Sequence, residues 1–396
     1  MSDERFWKHG GTPWEWCQEQ GFFAQIADMC EGEDNGPSMR AALSGLIEGY
    51  VHRWFEDNAA MRILQVEGTH EADLVNLDTG RSSRTYSLAG KIDKVALIHG
   101  QTCLVDHKTT SLDVSDPAST YWRRLRVDGQ GQMYQILLMS QGVEIDRVVW
   151  DVARRPTWRM KKIPAAALKL MLETKTYHGH NVSRESQEYV ASTGLEDWEL
   201  LSYRIAAASM EEPNKFFVRT TIPRTKSELV RFNDKLWRIA DEMRRARRLT
   251  VDDQIENWGA CTMYNTACEY LPICSGSDTL DSNRWQNTDH VHPELEMEER
   301  DEKSLVTHSR ISCFLACRKK HHLKYELGRR KADDTGTEAL WFGTAWHHLM
   351  DKFWIESQSQ GIQHDESTRH GSPASEAGRP EDGEDEESPQ GDLDQD

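Results

Sequence analysis

The sequence predicts an α/β fold, and three segments carry that prediction. Residues 37–54 have the apolar spacing of an amphipathic helix, residues 62–109 change to the pattern of successive strands, and residues 129–154 give a helix followed by a strand. The chain has 396 residues, 37% of them hydrophobic, which is enough for one large domain or two ordinary ones. We therefore expect a strand meander followed by a helix and a further strand.

Apolar periodicity defines each of these elements in turn. The first helix carries an apolar stripe made of Leu43, Leu46, Ile47, Tyr50, Val51 and Trp54. Three segments bounded by turn residues predict three strands: RILQVEG from Arg62, TYSLAGKIDKVALI from Thr85 and TCLVDHKT from Thr102. GQGQMYQILLM from Gly129 predicts a helix, and EIDRVVWDVAR predicts the next strand. Residues 1–36 show no clear pattern and are expected to be irregular.

The second half of the chain is less regular. One helical face is formed within residues 227–248 by Leu229, Phe232, Leu236, Ile239 and Met243. Residues 276–304 are polar and acidic, which predicts a linker, and residues 305–356 predict two helices with a short connection. Residues 357–396 have almost no apolar side chain to bury, so we expect a disordered acidic tail.

The formal net charge of −18 is concentrated in that tail. Residues 361–396 contain 12 acidic residues and 2 Arg, a net charge of −10, which leaves −8 for the first 360 residues. The acidic total therefore does not exclude a nucleic-acid partner. No apolar run approaches the ~18 residues of a membrane span, and MSDERFWKHGG lacks the apolar core of a signal peptide, so we expect a soluble cytoplasmic protein with no membrane partner.

Two carboxylates and a lysine form the sharpest chemical pattern. Asp93 and Asp106 lie on consecutive predicted strands, and Lys108 shares a strand face with Asp106. A turn at His99-Gly100 would return the second strand beside the first and bring Asp93 next to the pair. Carboxylates can hold Mg²⁺ or Mn²⁺ near a phosphodiester, and a lysine can orient water or offset charge. The alternative is a surface hairpin with an ion pair.

The predicted helix after the strands carries a second polar pair. Gln130 and Tyr134 are four residues apart and share a helix face, where an amide and a phenol could contact a base or a sugar. The alternative is a tyrosine packed on the sheet beside a solvated glutamine.

These strings resemble a known family. GKID, VDHKTT and QGQMY are similar to motifs II, III and QxxxY of the PD-(D/E)XK superfamily, in particular its RecB-like branch of recombination, CRISPR-associated and phage nucleases. The resemblance implies a restriction-endonuclease-like α/β core, with a mixed central sheet flanked by helices and helical additions. It also implies Asp93 and Asp106 as metal ligands, Lys108 as the catalytic lysine, and Gln130 with Tyr134 as DNA contacts.

Cysteines form a second group. Cys261, Cys268 and Cys274 are closely spaced, but three thiolates are too few for a closed tetrahedral site or a fully ligated cluster. The RecB-like resemblance implies a [4Fe-4S] cluster with Cys317 as fourth ligand, stapling the two ends of the domain. Zinc and buried unligated cysteines are the alternatives. The other cysteines, Cys17, Cys30, Cys103 and Cys313, are expected to pack in the interior.

The order of the motifs differs from that of the family. The family's segment with S-R-I-S and F-G-T-A-x-H precedes the strands, whereas here it occupies Ser309 to His347, after the predicted core of residues 37–275. We therefore expect a circular permutation in which residues 305–356 complete the domain and His347 is the third metal ligand, flanked by His348. Glu67 is a weaker candidate. A truncated second copy, or a reading frame assembled from the two ends of a genome, would give the same order.

Basic residues near tryptophans suit contact with DNA, although a solvated charged face is the alternative. They are Arg123, Arg124 and Arg126 beside Trp122, and Arg154, Arg155, Arg159, Lys161 and Lys162 around Trp158. We expect a Mg²⁺- or Mn²⁺-dependent deoxyribonuclease, an exonuclease on single-stranded DNA ends in recombination, repair or phage DNA processing, in prokaryotic or phage-infected cytoplasm. No ATP-binding P-loop is visible, so the chain shows no ATP motor of its own. Its expected partner is DNA, as single-stranded or duplex ends, with an unidentified helicase or recombination protein as a further candidate. A non-cleaving DNA-end-binding or adaptor protein is the alternative.

Overall fold

A computed structural model describes residues 12–263, 266–288, 291–292, 295, 303–333 and 336–365, with side chains described to residue 355. Residues 357–365 of the predicted disordered tail are helical, which corrects the prediction for that part, and residues 366–396 lie outside the described residues. The strands are β1 (Arg62–Asn76), β2 (Arg81–Ile98), β3 (Gln101–Thr110), β4 (Arg147–Arg154), β5 (Thr176–Tyr177), β6 (His180–Asn181), β7 (Phe217–Thr221), β8 (Trp285–Asn287), β9 (Ser304–Val306) and β10 (Arg329–Lys331).

Helices of very different length surround these strands. They are α1 (Pro13–Glu19), α2 (Phe22–Cys30), α3 (Gly36–Ala59), α4 (Thr120–Arg126), α5 (Gln130–Ser140), α6 (Ala165–Thr174), α7 (Arg184–Thr193), α8 (Trp198–Glu211), α9 (Pro213–Phe216), α10 (Lys226–Ala246), α11 (Leu271–Cys274), α12 (His308–Ala316), α13 (Arg318–His321) and α14 (Glu338–Asp365). Short helical turns also cover Trp258–Ala260 and His322–Glu326. No helix in the described part of the chain is long and apolar enough to cross a membrane.

The central sheet is mixed, as predicted. Its strands lie in the order β1-β2-β3-β4-β7, and β9 pairs with β2. The pairs β1/β2, β2/β3 and β4/β7 are antiparallel, whereas β3/β4 and β2/β9 are parallel. The turn between β2 and β3 is where it was predicted, with φ of 49° at His99 and 77° at Gly100. This mixed α/β architecture confirms the restriction-endonuclease-like fold class.

Apolar cores cover both faces of the sheet. On one face α2, α3 and α14 pack with part of α8 against residues of β4 and β7. On the other face α4, α5, α10 and α12 pack against β1 to β4. The predicted stripes of α3 and α10 lie inside these cores, which confirms both helices.

The N-terminal segment differs from the prediction. Residues 12–36 contain α1 and α2 where irregular structure was expected. Thr12 accepts a hydrogen bond from the Glu15 amide, and the Glu15 side chain accepts one from the Thr12 amide, so a capping box starts α1 with Pro13 in its first turn. The buried side chains of Phe22 and Ile26 then anchor α2 to the core.

The predicted linker also has structure in part. β8 lies within residues 276–304 and pairs with β10. Trp285 at the start of β8 is buried and stacks on Tyr270, with ring centroids 5.3 Å apart. A single large aromatic residue thus anchors a segment whose composition is otherwise polar.

The segment after this region joins the core. Within β9, Ser304–Val306 pairs with Tyr86–Leu88 of β2. Helix α14 packs on β1 and β3, because its apolar side has the spacing of a buried helix stripe. The buried residues of that stripe are Phe342, Trp346, Leu349, Met350, Phe353 and Trp354.

Candidate active site

The β2–β3 hairpin brings the two predicted carboxylates together. Lys94 pairs with Val105, which leaves Asp93 and Asp106 as the next opposed positions. The Asp93 Oδ2 atom accepts a hydrogen bond of 2.7 Å from the backbone amide of His107. Lys108 lies on the same strand face as Asp106, with Nζ 2.5 Å from its Oδ2 atom.

Helix α14 adds the predicted histidine. The His347 Nδ1 atom lies 3.6 Å from the Asp93 Oδ2 atom. His347 belongs to the helix side that faces the sheet, whereas the neighbouring His348 is exposed. The structure therefore brings together Asp93, Asp106, Lys108 and His347, although the last is distant from the others in sequence.

Burial dominates the electrostatics of the carboxylates. It raises the pKa of both Asp93 and Asp106 to about 6, against the opposing effect of the Lys108 charge. Burial also disfavours the charge of Lys108, but the Asp106 and Asp93 carboxylates outweigh it and raise the Lys108 pKa. At neutral pH the lysine is therefore an ammonium group beside two carboxylates.

A neighbouring carboxyl group was missed by the sequence reasoning. Asp351 follows His347 by one helical turn and faces Glu67, and burial together with this neighbour raises its pKa to about 8. Glu67 lies across from Asp93, is 2.7 Å from Lys91, and has a left-handed φ of 51°. The spacing of four residues from His347 was the available signal for Asp351.

The predicted DNA-contacting pair is also close in space. The Gln130 Nε2 atom donates a hydrogen bond of 2.8 Å to the Tyr134 hydroxyl. The Tyr134 ring packs so closely on β2 that a Cβ atom at Gly90 would lie 2.7 Å from its Cε1 atom. Gly90 of the GKID motif therefore leaves room for the tyrosine.

The two basic regions differ in what their tryptophans can do. Trp122 is buried and donates a hydrogen bond of 2.9 Å to the Val114 carbonyl, so its ring is not available for contact with DNA. Trp158 remains accessible, with 38% of its surface exposed, and lies beside the Arg204 guanidinium.

Five cysteines line one cavity of about 690 Å³, away from the carboxylates. They are Cys261, Cys268, Cys274, Cys313 and Cys317. Cys17, Cys30 and Cys103 are buried, as predicted for interior packing, whereas Cys313 is half-buried and faces the cavity. Burial raises the pKa of the Cys274 and Cys313 thiols to about 11. Among the residues that the structure describes, no group of three or more His, Cys, Asp or Glu side chains is arranged to hold a metal ion.

Comparison with known families fits this geometry. The model of the PD-(D/E)XK nuclease superfamily matches residues 15–275 and 305–389. The chain belongs to the PD-(D/E)XK nuclease superfamily. The stretch between the two matched parts is the polar segment that contains β8. No curated protein matches the chain.

Membership in the superfamily indicates a metal-dependent nuclease that acts on DNA. The donor types suit a hard divalent cation because carboxylate oxygens dominate the site, while no three of the described His, Cys, Asp or Glu side chains are already arranged around one ion. The Asp106 side chain is 2% exposed, and its Oδ1 atom has no hydrogen-bond partner in the described part of the chain. A buried carboxylate oxygen without a partner is costly, and a cation would satisfy it.

Proposed function

We propose that the protein is a Mg²⁺- or Mn²⁺-dependent deoxyribonuclease of the RecB-like branch, acting as an exonuclease on single-stranded DNA ends. The observation that carries the proposal is the convergence of His347 from α14 with Asp93, Asp106 and Lys108 from the β2–β3 hairpin. This convergence joins residues that are distant in the chain, as expected if they share one reaction.

Each residue of the site would have a distinct task. Asp93, Asp106 and His347 would hold the divalent cation, which when bound lowers the pKa of water and offsets phosphate charge. Lys108 remains protonated and offsets the negative charge that develops on the phosphate. Gln130 and Tyr134 would orient the DNA next to it through their amide and hydroxyl groups.

The nuclease assay uses end-labelled linear single-stranded DNA with Mn²⁺, and circular single-stranded DNA as the test for ends. The wild type should degrade the linear strand and spare the circle. Lys108→Ala should lower the rate about 100- to 1000-fold, since a charge that stabilises the transition state is lost. Lys169→Ala removes an exposed lysine of α6 and should leave the rate unchanged.

An intact linear strand with wild-type protein would exclude the nuclease and favour a non-cleaving DNA-end-binding protein. Cleavage of the circle would exclude a strict exonuclease but retain the nuclease.

We also propose that the motif order is a circular permutation. In the family order, α14 would lead directly into α1 and α2, and these helices are in contact here: Phe353 lies 5.7 Å from Trp16 and 6.4 Å from Phe22 between ring centroids. At the other junction, Cys274 and Cys317 line the same cavity. A gene that places residues 276–365 before residues 12–275 keeps the buried Trp285 and should therefore give a folded protein with the same cleavage activity. Failure of this rearranged chain to fold would contradict the permutation.

The cysteine cavity supports a [4Fe-4S] cluster held by Cys261, Cys268, Cys274 and Cys317, because such a cluster needs four thiolates and five cysteines line the cavity. Protein purified without oxygen should be coloured and contain iron. Cys317→Ser should lose the iron, whereas Cys30→Ser, in the core beside α3, should retain it. Stoichiometric zinc in a colourless protein would replace the cluster with a zinc site.

A further inference from the structure

The turn between α4 and α5 exposes an apolar side chain beside a group of arginines. Val127 directly follows α4, and its side chain is 82% exposed. The last turn of α4 carries Arg123, Arg124 and Arg126, and all three are exposed to solvent. Arginines attract phosphates, and an apolar side chain can pack between bases, so this combination suits contact with DNA.

The turn is fixed although its tip is exposed. The Val127 amide donates a hydrogen bond of 3.1 Å to the Arg124 carbonyl, which closes the end of α4. The guanidinium of Arg224, just before α10, donates a hydrogen bond to the Arg126 carbonyl. Because valine is branched at Cβ, its side chain has few rotamers, and the tip presents a rigid apolar surface.

The residues after the tip are held between two helices. The Asp128 Oδ1 atom accepts a hydrogen bond of 2.8 Å from the Gln130 amide and lies 3.3 Å from the His308 Nε2 atom at the start of α12. Gly129 packs on α10 so closely that a Cβ atom there would lie 2.8 Å from the Phe232 ring. The turn therefore has support behind it if DNA presses on the tip.

Contacts of α5 place this turn next to the candidate active site. A Cβ atom at Gly131, in the first turn of α5, would lie 3.3 Å from the Trp150 ring, and the Lys108 Nζ atom lies 5.5 Å from the centroid of that ring. The Gln130 side chain is bonded to Tyr134, whose ring packs on β2. A DNA strand that runs past this pair toward Lys108 therefore passes the exposed tip.

We propose that Val127 is a wedge that enters the end of a DNA duplex and unstacks its terminal base pair, an inference that rests on the proposed nuclease function. Apolar side chains that separate base steps are a known device of DNA-binding proteins. Arg123 and Arg126 contact phosphates of the strands that the wedge parts. The substrate class is thus duplex DNA ends, from which the wedge supplies the single strand that is cleaved.

Cleavage rates of the full-length protein on three end-labelled DNAs test the wedge. With Mn²⁺, the DNAs are a single strand, a blunt duplex, and a duplex whose terminal bases are mismatched and already unpaired. Val127→Ser should slow cleavage of the blunt duplex about tenfold, because opening one base-pair step costs about 1.4 kcal/mol, which corresponds to a factor of ten. The other two rates should stay unchanged, because neither DNA needs the wedge.

Two further variants separate the apolar tip from the fold. Val127→Leu keeps an apolar side chain and should retain the wild-type rate on the blunt duplex. Val230→Ser makes the same change at a half-exposed valine of α10 and should leave all three rates unchanged. Both serine variants should keep the wild-type thermal unfolding midpoint, because each side chain is largely in solvent.

A binding measurement follows the opening of the duplex without cleavage. With Ca²⁺ in place of Mn²⁺, 2-aminopurine in the terminal base pair should become more fluorescent when the wild type binds, because the base is unstacked. Val127→Ser should bind the duplex without this increase.

Several outcomes would overturn the wedge. They are equal slowing of all three DNAs by Val127→Ser, an unchanged rate on the blunt duplex, and a wild type that cleaves single strands but spares blunt ends. If the wild type cleaves none of the DNAs, the nuclease assignment fails, and the 2-aminopurine signal then decides by itself whether Val127 opens a duplex end.

Discussion

Leu349 tests whether α14 is an integral part of the fold that carries the site. It is fully buried in the core that α14 shares with α3. Leucine-to-alanine substitutions in such cores cost about 2.7 to 5.0 kcal/mol, and the cost rises with the cavity that remains. Large rings limit collapse here, for example Tyr50 and Trp346 with centroids 5.6 Å apart. We therefore expect Leu349→Ala to lower the free energy of unfolding by about 3.5 to 5 kcal/mol.

The matched control lies on the same helix. Leu340 is 65% exposed, so Leu340→Ala should change the free energy of unfolding by less than about 0.5 kcal/mol. Urea unfolding followed by tryptophan fluorescence and circular dichroism measures both variants. Equal effects of the two substitutions would refute the packing argument. A separate early transition for the Leu349 variant would show that α14 unfolds independently of the sheet.

Two other predictions concern ion pairs. Arg219→Met should lower the free energy of unfolding by about 3 to 5 kcal/mol, because it leaves the buried carboxylate of Asp151 without its 2.9 Å partner. The control Arg184→Met breaks an exposed ion pair and should lower the free energy of unfolding by under about 0.5 kcal/mol in the same urea assay. Burial opposes the charge of His180, but its 2.9 Å contact with Glu48 outweighs this effect and raises the His180 pKa. The stabilisation from this ion pair is complete below the ordinary histidine pKa of about 6.5, and it is lost as pH rises through the higher pKa of His180 in the folded protein. His180→Gln should flatten this decline in unfolding free energy, and an unchanged slope would contradict the assignment.

The sequence was most informative where apolar periodicity and turn chemistry agree. Strands β2 and β3 come from two segments with a strand pattern that are joined by His99-Gly100, and both of these turn residues have positive φ in the structure. Their register follows from the buried face, and it places Asp93 and Asp106 opposite each other. The core of the candidate site could therefore be predicted from local sequence.

Helix α8 was not predicted, because it packs through small residues. A Cβ atom at Gly49 of α3 would lie 1.9 Å from Ser209 Oγ, and one at Gly45 would lie 2.5 Å from the Ser202 carbonyl oxygen. The α3 backbone thus approaches α8 closely, and α3 is buried on nearly all sides between residues 41 and 51. The apolar stripe of α3 that the sequence shows marks one contact face, and it gives no sign of the second face that packs on α8.

The neighbour of a half-buried carboxyl group was equally hidden. Asp351 is an ordinary polar residue on α14 by sequence, and its tertiary neighbour Glu67 comes from a left-handed position of β1. Hydropathy reports neither the backbone conformation at Glu67 nor the approach of the helix. Residues that matter through tertiary neighbours therefore need the structure.

Electrostatics connects the proposed cation-binding role of Asp93 and Asp106 with the fold. Burial raises the pKa of Asp93 and Asp106 to about 6, so the folded chain favours their protonated forms more than water does. Ionising both carboxyl groups at neutral pH therefore lowers the free energy of unfolding. This loss becomes smaller as pH falls through their pKa values in the folded protein. A divalent cation offsets the same cost by replacing protons with its own charge. In the proposed site, protons and the cation would therefore compete for the two carboxylates below pH 6, and the unfavourable burial of their charges would favour binding of the ion.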